Sequence, residues 1–65
     1  MITVEDIMTR HPKTLRAKDT LADARRLMTE FEIRHIPVLS DAGALVGLVT
    51  LRDVLAASSS VLDES

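Results

Sequence analysis

A chain of 65 residues forms one domain at most, and a domain this short buries only about 60% of the surface that its unfolded form exposes. It has no cysteine, which excludes disulfides and thiolate metal sites, and with one Phe, no Trp and no Tyr it has no aromatic platform for single-stranded nucleic acid. The net charge of −2 offers no large electropositive face to duplex DNA, and no apolar run reaches the length of a membrane span or signal peptide.

The two histidines, His11 and His35, lack ligand spacing, so no transition-metal site is expected. The apolar content of 46% is that of a globular protein, and a cysteine-free chain suits a reducing, cytoplasmic setting. So small a domain needs added stabilisation, and with neither disulfide nor metal that source is a partner.

In chain order, Thr3 and Asp6 have the spacing of a capping box, which opens a short helix that Pro12 ends. Thr14 and Leu15 read as a very short strand or an extended segment. Thr20 and Asp23 form a second box, and Leu21, Ala24, Leu27, Met28 and Phe31 follow helical spacing behind it. Asp23, Arg26 and Glu30 lie mainly on the other, solvated face. Two β-prone runs, near 35–39 and 45–50, flank the turn residues Ser40, Asp41, Ala42 and Gly43 and predict a hairpin. Pro37 lacks a backbone donor, which places it on an edge or where the missing N–H faces a cavity. A last helix starts after Thr50, is weakened by Ser58, Ser59 and Ser60, and gives way to a linker or frayed tail over 58–65. The domain proper is therefore expected over 1–57. A strand–helix–strand step favours a parallel, right-handed crossover with both main helices covering the sheet.

The stretches "DIMTRHPKTL", "DTLADARRLM" and "IRHIPVLSDAGALVGLVTLRDVL", taken in this order and spacing, resemble the cystathionine-β-synthase, or CBS, domain over roughly Val4 to Ala57. The resemblance implies an α+β fold: a βαββα unit with a small three-stranded sheet, two covering helices and a short N-terminal helix. It implies pairing with a second CBS unit, a tandem copy or a second chain, into a Bateman module that binds adenosine-containing ligands in its clefts. It also implies regulation rather than catalysis, and no nucleophile–base pair or acid–base dyad is recognisable in the chain. Two features depart from the family pattern: only one copy is present, and Glu32 stands where a Gly often follows the first long helix. A Gly there would favour a left-handed cap, so Glu32 is expected to strain that turn slightly or close the helix differently.

Thr50 and Asp53 repeat the Thr-x-x-Asp spacing of the two earlier boxes, and capping alone accounts for that spacing. The third copy differs in its approach, because Gly47-Leu48-Val49 leads from a buried strand directly into a helix, a junction at which α/β proteins bind ligands. By resemblance, Asp53 accepts from ribose hydroxyls and Thr50 bonds ribose or phosphate. Arg52, in the first turn, suits a bidentate phosphate contact or simply solvent. Thr14 matches a cleft threonine of the family. Ile36, Pro37 and Val38 match the strand that receives the adenine ring, although core packing explains them equally well. His35 is either a phosphate or partner neighbour or a solvated surface residue.

The candidate ligands are AMP, ADP, ATP and S-adenosylmethionine, and no cofactor is required. The competing reading is a ligand-free pairing domain. In either case a second unit is expected to cover apolar side chains that one small sheet leaves over, with Leu27, Met28, Val54 and Leu55 as the candidates.

Overall fold

In the computed structural model, backbone is described for residues 1–63 and side chains for residues 1–59. The elements are α1 (Val4–Ile7), β1 (Leu15–Arg16), α2 (Leu21–Phe31), β2 (His35–Leu39), β3 (Leu45–Thr50) and α3 (Leu51–Asp63). The sheet has three strands in the order β1-β2-β3. β1 pairs parallel to β2 through Leu15↔Val38, and β2 pairs antiparallel to β3 through Ile36↔Val49 and Pro37↔Leu48.

Side chains alternate between the two faces of a strand, and this decides which half of each strand is buried. Ile36, with no exposed surface, joins Leu15, Ala24, Met28 and Val54 in the core. Leu21, Leu27, Ile33, Val49 and Leu51 pack around them. Both long helices therefore cover one face of the sheet. Pro37 and Leu48 point to the other face, where Leu48 is 57% exposed. The hairpin closes through Ser40, whose N–H donates to the Ala44 carbonyl (2.8 Å), and through Gly43 at φ 87°, a conformation that costs a glycine little.

Four expectations change. Pro37 lies in the middle strand, not on an edge. The strand tolerates it because the Ala17 N–H donates to the Leu39 carbonyl, so the polar groups of alternate residues, Pro37 included, face the β1 side. β1 begins only at Leu15, opposite Val38, so no strand stands where the missing donor would point. Thr14 precedes β1 rather than forming part of it. The tail expected from Ser58 is helical to Asp63, and the Ser58 hydroxyl donates to the Val54 carbonyl (2.8 Å), which keeps that polar group satisfied within the helix. The rest of the expected tail, residues 64–65, lies outside the described residues. Finally, Met28 and Val54 are core residues and Leu27 packs against the core. The exposed apolar side chains among the described residues include Leu55, Leu45, Val46 and Leu48, Phe31 at the end of α2, and Met1, Ile2, Val4, Ile7 and Met8 near the N-terminus.

Glu32 closes α2 in the left-handed conformation (φ 52°, ψ 45°). The N–H groups of Glu32 and Ile33 both donate to the Met28 carbonyl, so the closure is that of a glycine cap built with a residue that has a Cβ.

Candidate functional site

The site begins at the end of β3. The Thr50 N–H donates to Asp53 Oδ2 (2.9 Å), and the Asp53 N–H donates to Thr50 Oγ1 (3.2 Å). This is a complete capping box at the start of α3. The Leu51 N–H donates to the Arg34 carbonyl (2.8 Å), which ties the same junction to the residue preceding β2. The Thr50 N–H, then the Thr50 hydroxyl and the adjacent Arg52 charge, hold the Asp53 carboxyl below its ordinary value against partial desolvation. Asp53 is therefore a carboxylate at neutral pH. Only Oδ2 serves the cap; Oδ1 makes no hydrogen bond among the described residues.

Asp53 lines a cleft of about 300 Å³ between β1 and the first turns of α2 and α3. Leu15, Val38, Val49, Val54 and Ala57 supply apolar walls, and Asp19 and Thr20 supply the polar rim opposite Asp53. A few polar groups converging on an apolar concavity of this size describe the small-molecule sites of proteins at their lower size limit. A second, wider depression of about 700 Å³ lies on the other side of the same helix start, lined by Arg34, His35, Thr50, Arg52 and Leu55 among others. The capping box stands between the two concavities, with Thr50 on one and Asp53 on the other.

The residues expected from sequence do not all meet in one place. Val38 and Asp53 share the cleft, while Thr50, Arg52 and His35 share the depression. Pro37 lies half-buried on the opposite face of the sheet. Ile36 has no exposed surface and serves the core, the packing alternative that the sequence left open for it: the parity that brings Val38 toward the helices carries Ile36 beneath them. Thr14 is exposed and lines neither concavity. Sequence reasoning missed Leu15, Asp19 and Thr20 as cleft residues. The available signal was the parallel crossover, which places the end of β1 and the start of α2 beside the end of β3.

The profile of the CBS domain family matches residues 4–60. Among curated relatives, the inosine-5'-monophosphate dehydrogenase of Korarchaeum cryptofilum is 43% identical over 53 residues, which are 82% of this chain and 11% of that enzyme. Among solved structures, AcuB from Vibrio cholerae superposes with a TM-score of 0.83 at 52% identity, covering 92% of this chain and 44% of that one. CBSX2, solved in complex with AMP, superposes with a TM-score of 0.81 at 36% identity, covering 89% of this chain and 43% of that one. CBSX2 of Arabidopsis thaliana is described as a CBS-pair protein. The cytosolic domain of the Mg2+ channel MgtE, solved with ATP, matches with a TM-score of 0.74 at 33% identity, over 83% of this chain and 22% of that one. This chain thus spans a small part of the enzyme it matches and less than half of each of these solved chains. With the profile match covering nearly its whole length, the chain belongs to the CBS domain family.

Proposed function

We propose that this domain is a regulatory module that binds an adenosine-containing ligand, AMP, ADP, ATP or S-adenosylmethionine, in the cleft at Asp53. The observation that carries the reading is a carboxylate at a strand-to-helix junction with one oxygen held in the cap and the other unengaged beside an apolar cleft. Such an oxygen accepts ribose hydroxyls, and Val38, Leu15 and Val49 offer a planar base an apolar surround. Thr50 and Arg52, across the box, take the phosphate side. Ile36 supports the pocket from below. Thr14 and Pro37 contribute once a second unit closes the site from the exposed side.

The second unit is the other half of the proposal. The sheet face opposite the helices carries Leu45 and Leu48, which are 69% and 57% exposed. A second CBS unit, as a tandem copy or as another chain, covers it and completes a cleft that is otherwise open. Relatives solved with AMP and with ATP support the ligand class. The domain is a sensor attached to other machinery, not itself an enzyme, and a cytoplasmic setting supplies the nucleotide.

Isothermal titration of the paired form with AMP, ATP and S-adenosylmethionine tests this. Saturable binding that is lost in Asp53→Ala, with the variant folded and paired, is the expected result. Heats that are the same with and without Asp53 would overturn the site, and no binding of any adenosyl ligand would leave only a ligand-free pairing domain.

A further inference from the structure

Asp19 is the second carboxylate on the lining of the Asp53 cleft. It sits in the tight turn that leads from β1 to α2. The Asp19 N–H donates to the Arg16 carbonyl (2.9 Å) and the Arg16 N–H donates to Asp19 Oδ2 (2.8 Å), so the turn is closed from both ends. Asp19 Oδ1 makes no hydrogen bond, and Asp19 makes no ion pair, among the described residues. The nearest cations along the chain turn elsewhere. Arg16 Nη1 donates to the Asp41 carbonyl (3.3 Å) and lies 3.6 Å from Asp41 Oδ1, and Lys18 Nζ lies 3.6 Å from the same oxygen. Arg16 is also the one cation among the described residues that line the cleft.

The cleft is thus left with two spare acceptors, one oxygen of Asp19 and one of Asp53. Two carboxylates favour donors there and repel a phosphate. A 5'-nucleotide of adenine carries donors in two places only, the ribose hydroxyls and the exocyclic N6 amine. With the ribose at Asp53, the amine is the donor that remains for Asp19. We propose that Asp19 is the base-reading residue of this site: its spare oxygen accepts from the N6 amine, and the domain thereby selects adenine over purines that carry an oxygen at position 6. The inference rests on the reading of the cleft as an adenosyl site and adds which edge of the base is read. Leu15, an apolar wall of the cleft, and Asp19 come from one short segment, so that segment supplies both the surround of the base and the acceptor for its edge. Hypoxanthine sets O6, an acceptor, against the carboxylate. Reaching its N1–H instead requires the base to move by one ring atom while the ribose stays at Asp53. Guanine also carries O6, and its fork of donors at N1 and N2 calls for both oxygens of a carboxylate. Asp19 has one to give, because Oδ2 closes the turn.

Isothermal titration of the full chain, in its paired form, with AMP, IMP and GMP tests this, because AMP and IMP share ribose and phosphate and differ only at the edge that Asp19 reads. Wild type is expected to bind AMP about tenfold to a hundredfold more tightly than IMP or GMP, the range for a hydrogen bond to a charged acceptor. Asp19→Ala is expected to weaken AMP and bring the three affinities together. Asp19→Asn keeps a side-chain oxygen for the Arg16 N–H, so the turn is retained, while its amide donates to O6; the preference is expected to reverse toward IMP. A residue that served only to shape the turn would not invert that ratio. Asp53→Ala is expected to weaken AMP and IMP alike and to leave their ratio as in wild type. Equal binding of AMP and IMP by wild type overturns the proposal, as does tighter binding of GMP than of AMP. An AMP-to-IMP ratio that is unchanged in Asp19→Asn overturns it too. In those three cases the adenosyl site at Asp53 stands and only the base reading falls, whereas no binding of any of the three nucleotides overturns both.

Discussion

The starts of α2 and α3 share a hydrogen-bond pattern and differ in what lies around it. Thr20 and Asp23 form the bonds that Thr50 and Asp53 form, at 3.0 and 3.2 Å against 2.9 and 3.2 Å. In each case the threonine N–H is the main cause that holds the aspartate carboxyl below its ordinary value. The difference lies in the second oxygen. Asp23 Oδ1 accepts from Arg26 (3.1 Å), one turn along its own helix, whereas Asp53 Oδ1 has no hydrogen-bond partner among the described residues, and Asp53 is one of the residues that line the cleft. Local capping chemistry is therefore common to both helices, and the proposed ligand contact belongs to the one where tertiary structure leaves an acceptor over.

The largest effect that separates the two boxes is on affinity. Asp53→Ala is expected to weaken adenosyl ligand binding about tenfold to a hundredfold, the range for losing hydrogen bonds to a charged acceptor. Asp23→Ala is expected to leave affinity within about twofold of wild type, since Asp23 is already engaged on both sides. Titration calorimetry on both variants decides this, and equal losses would show that the boxes differ in nothing that matters to a ligand.

Stability ought to rank them together instead. Thr20→Ala and Thr50→Ala each remove an acceptor for an orphan N–H at a helix start and are expected to cost about 1 kcal/mol apiece, read as equal shifts in a denaturant midpoint. The far end of α2 sharpens its standing as a structural helix. Glu32 adopts a left-handed conformation that disfavours any side chain with a Cβ. Glu32→Gly relieves this and is expected to gain about 1 kcal/mol, or about 4–8 °C in Tm, with no change in affinity.

Much of this is legible in the sequence, for reasons that differ by element. The hairpin strands are readable at 35–39 and 45–50 because turn chemistry and β-branched runs are local signals, and the structure places them there. The three boxes are legible because a spacing of three residues belongs to one chain segment. Pro37 escapes the edge rule because that rule counts strands, while the cost of a proline depends on whether the neighbouring strand reaches its level, and β1 has two residues. Met28 and Val54 belong to the core rather than to a partner because apolar periodicity says which face is apolar, not whether this domain's own sheet covers it. The cleft lining at Leu15, Asp19 and Thr20 depends on the crossover that brings β1 beside the start of α3, a packing relation that no motif in the chain records.

The smallest expected effect is in acid and comes from these carboxylates directly. Both Asp23 and Asp53 have folded values below their ordinary 3.8, so each contributes stability that is complete above 3.8 and is lost as pH falls through the lowered folded value. Without ligand, Asp23→Asn and Asp53→Asn should flatten the acid limb of the unfolding curve to similar extents. A ligand whose hydroxyls donate to Asp53 Oδ1 favours the ionised form further and lowers that group again. With saturating ligand, the acid limb should therefore steepen in wild type and in Asp23→Asn, but not in Asp53→Asn. Thermal melts between pH 2 and 5, with and without AMP, make the comparison, taking that range from the ordinary carboxylate value of about 4. Steepening that survives in Asp53→Asn would mean that the ligand reads some other group, and the distinction between the two helix starts would then rest on Arg26 alone.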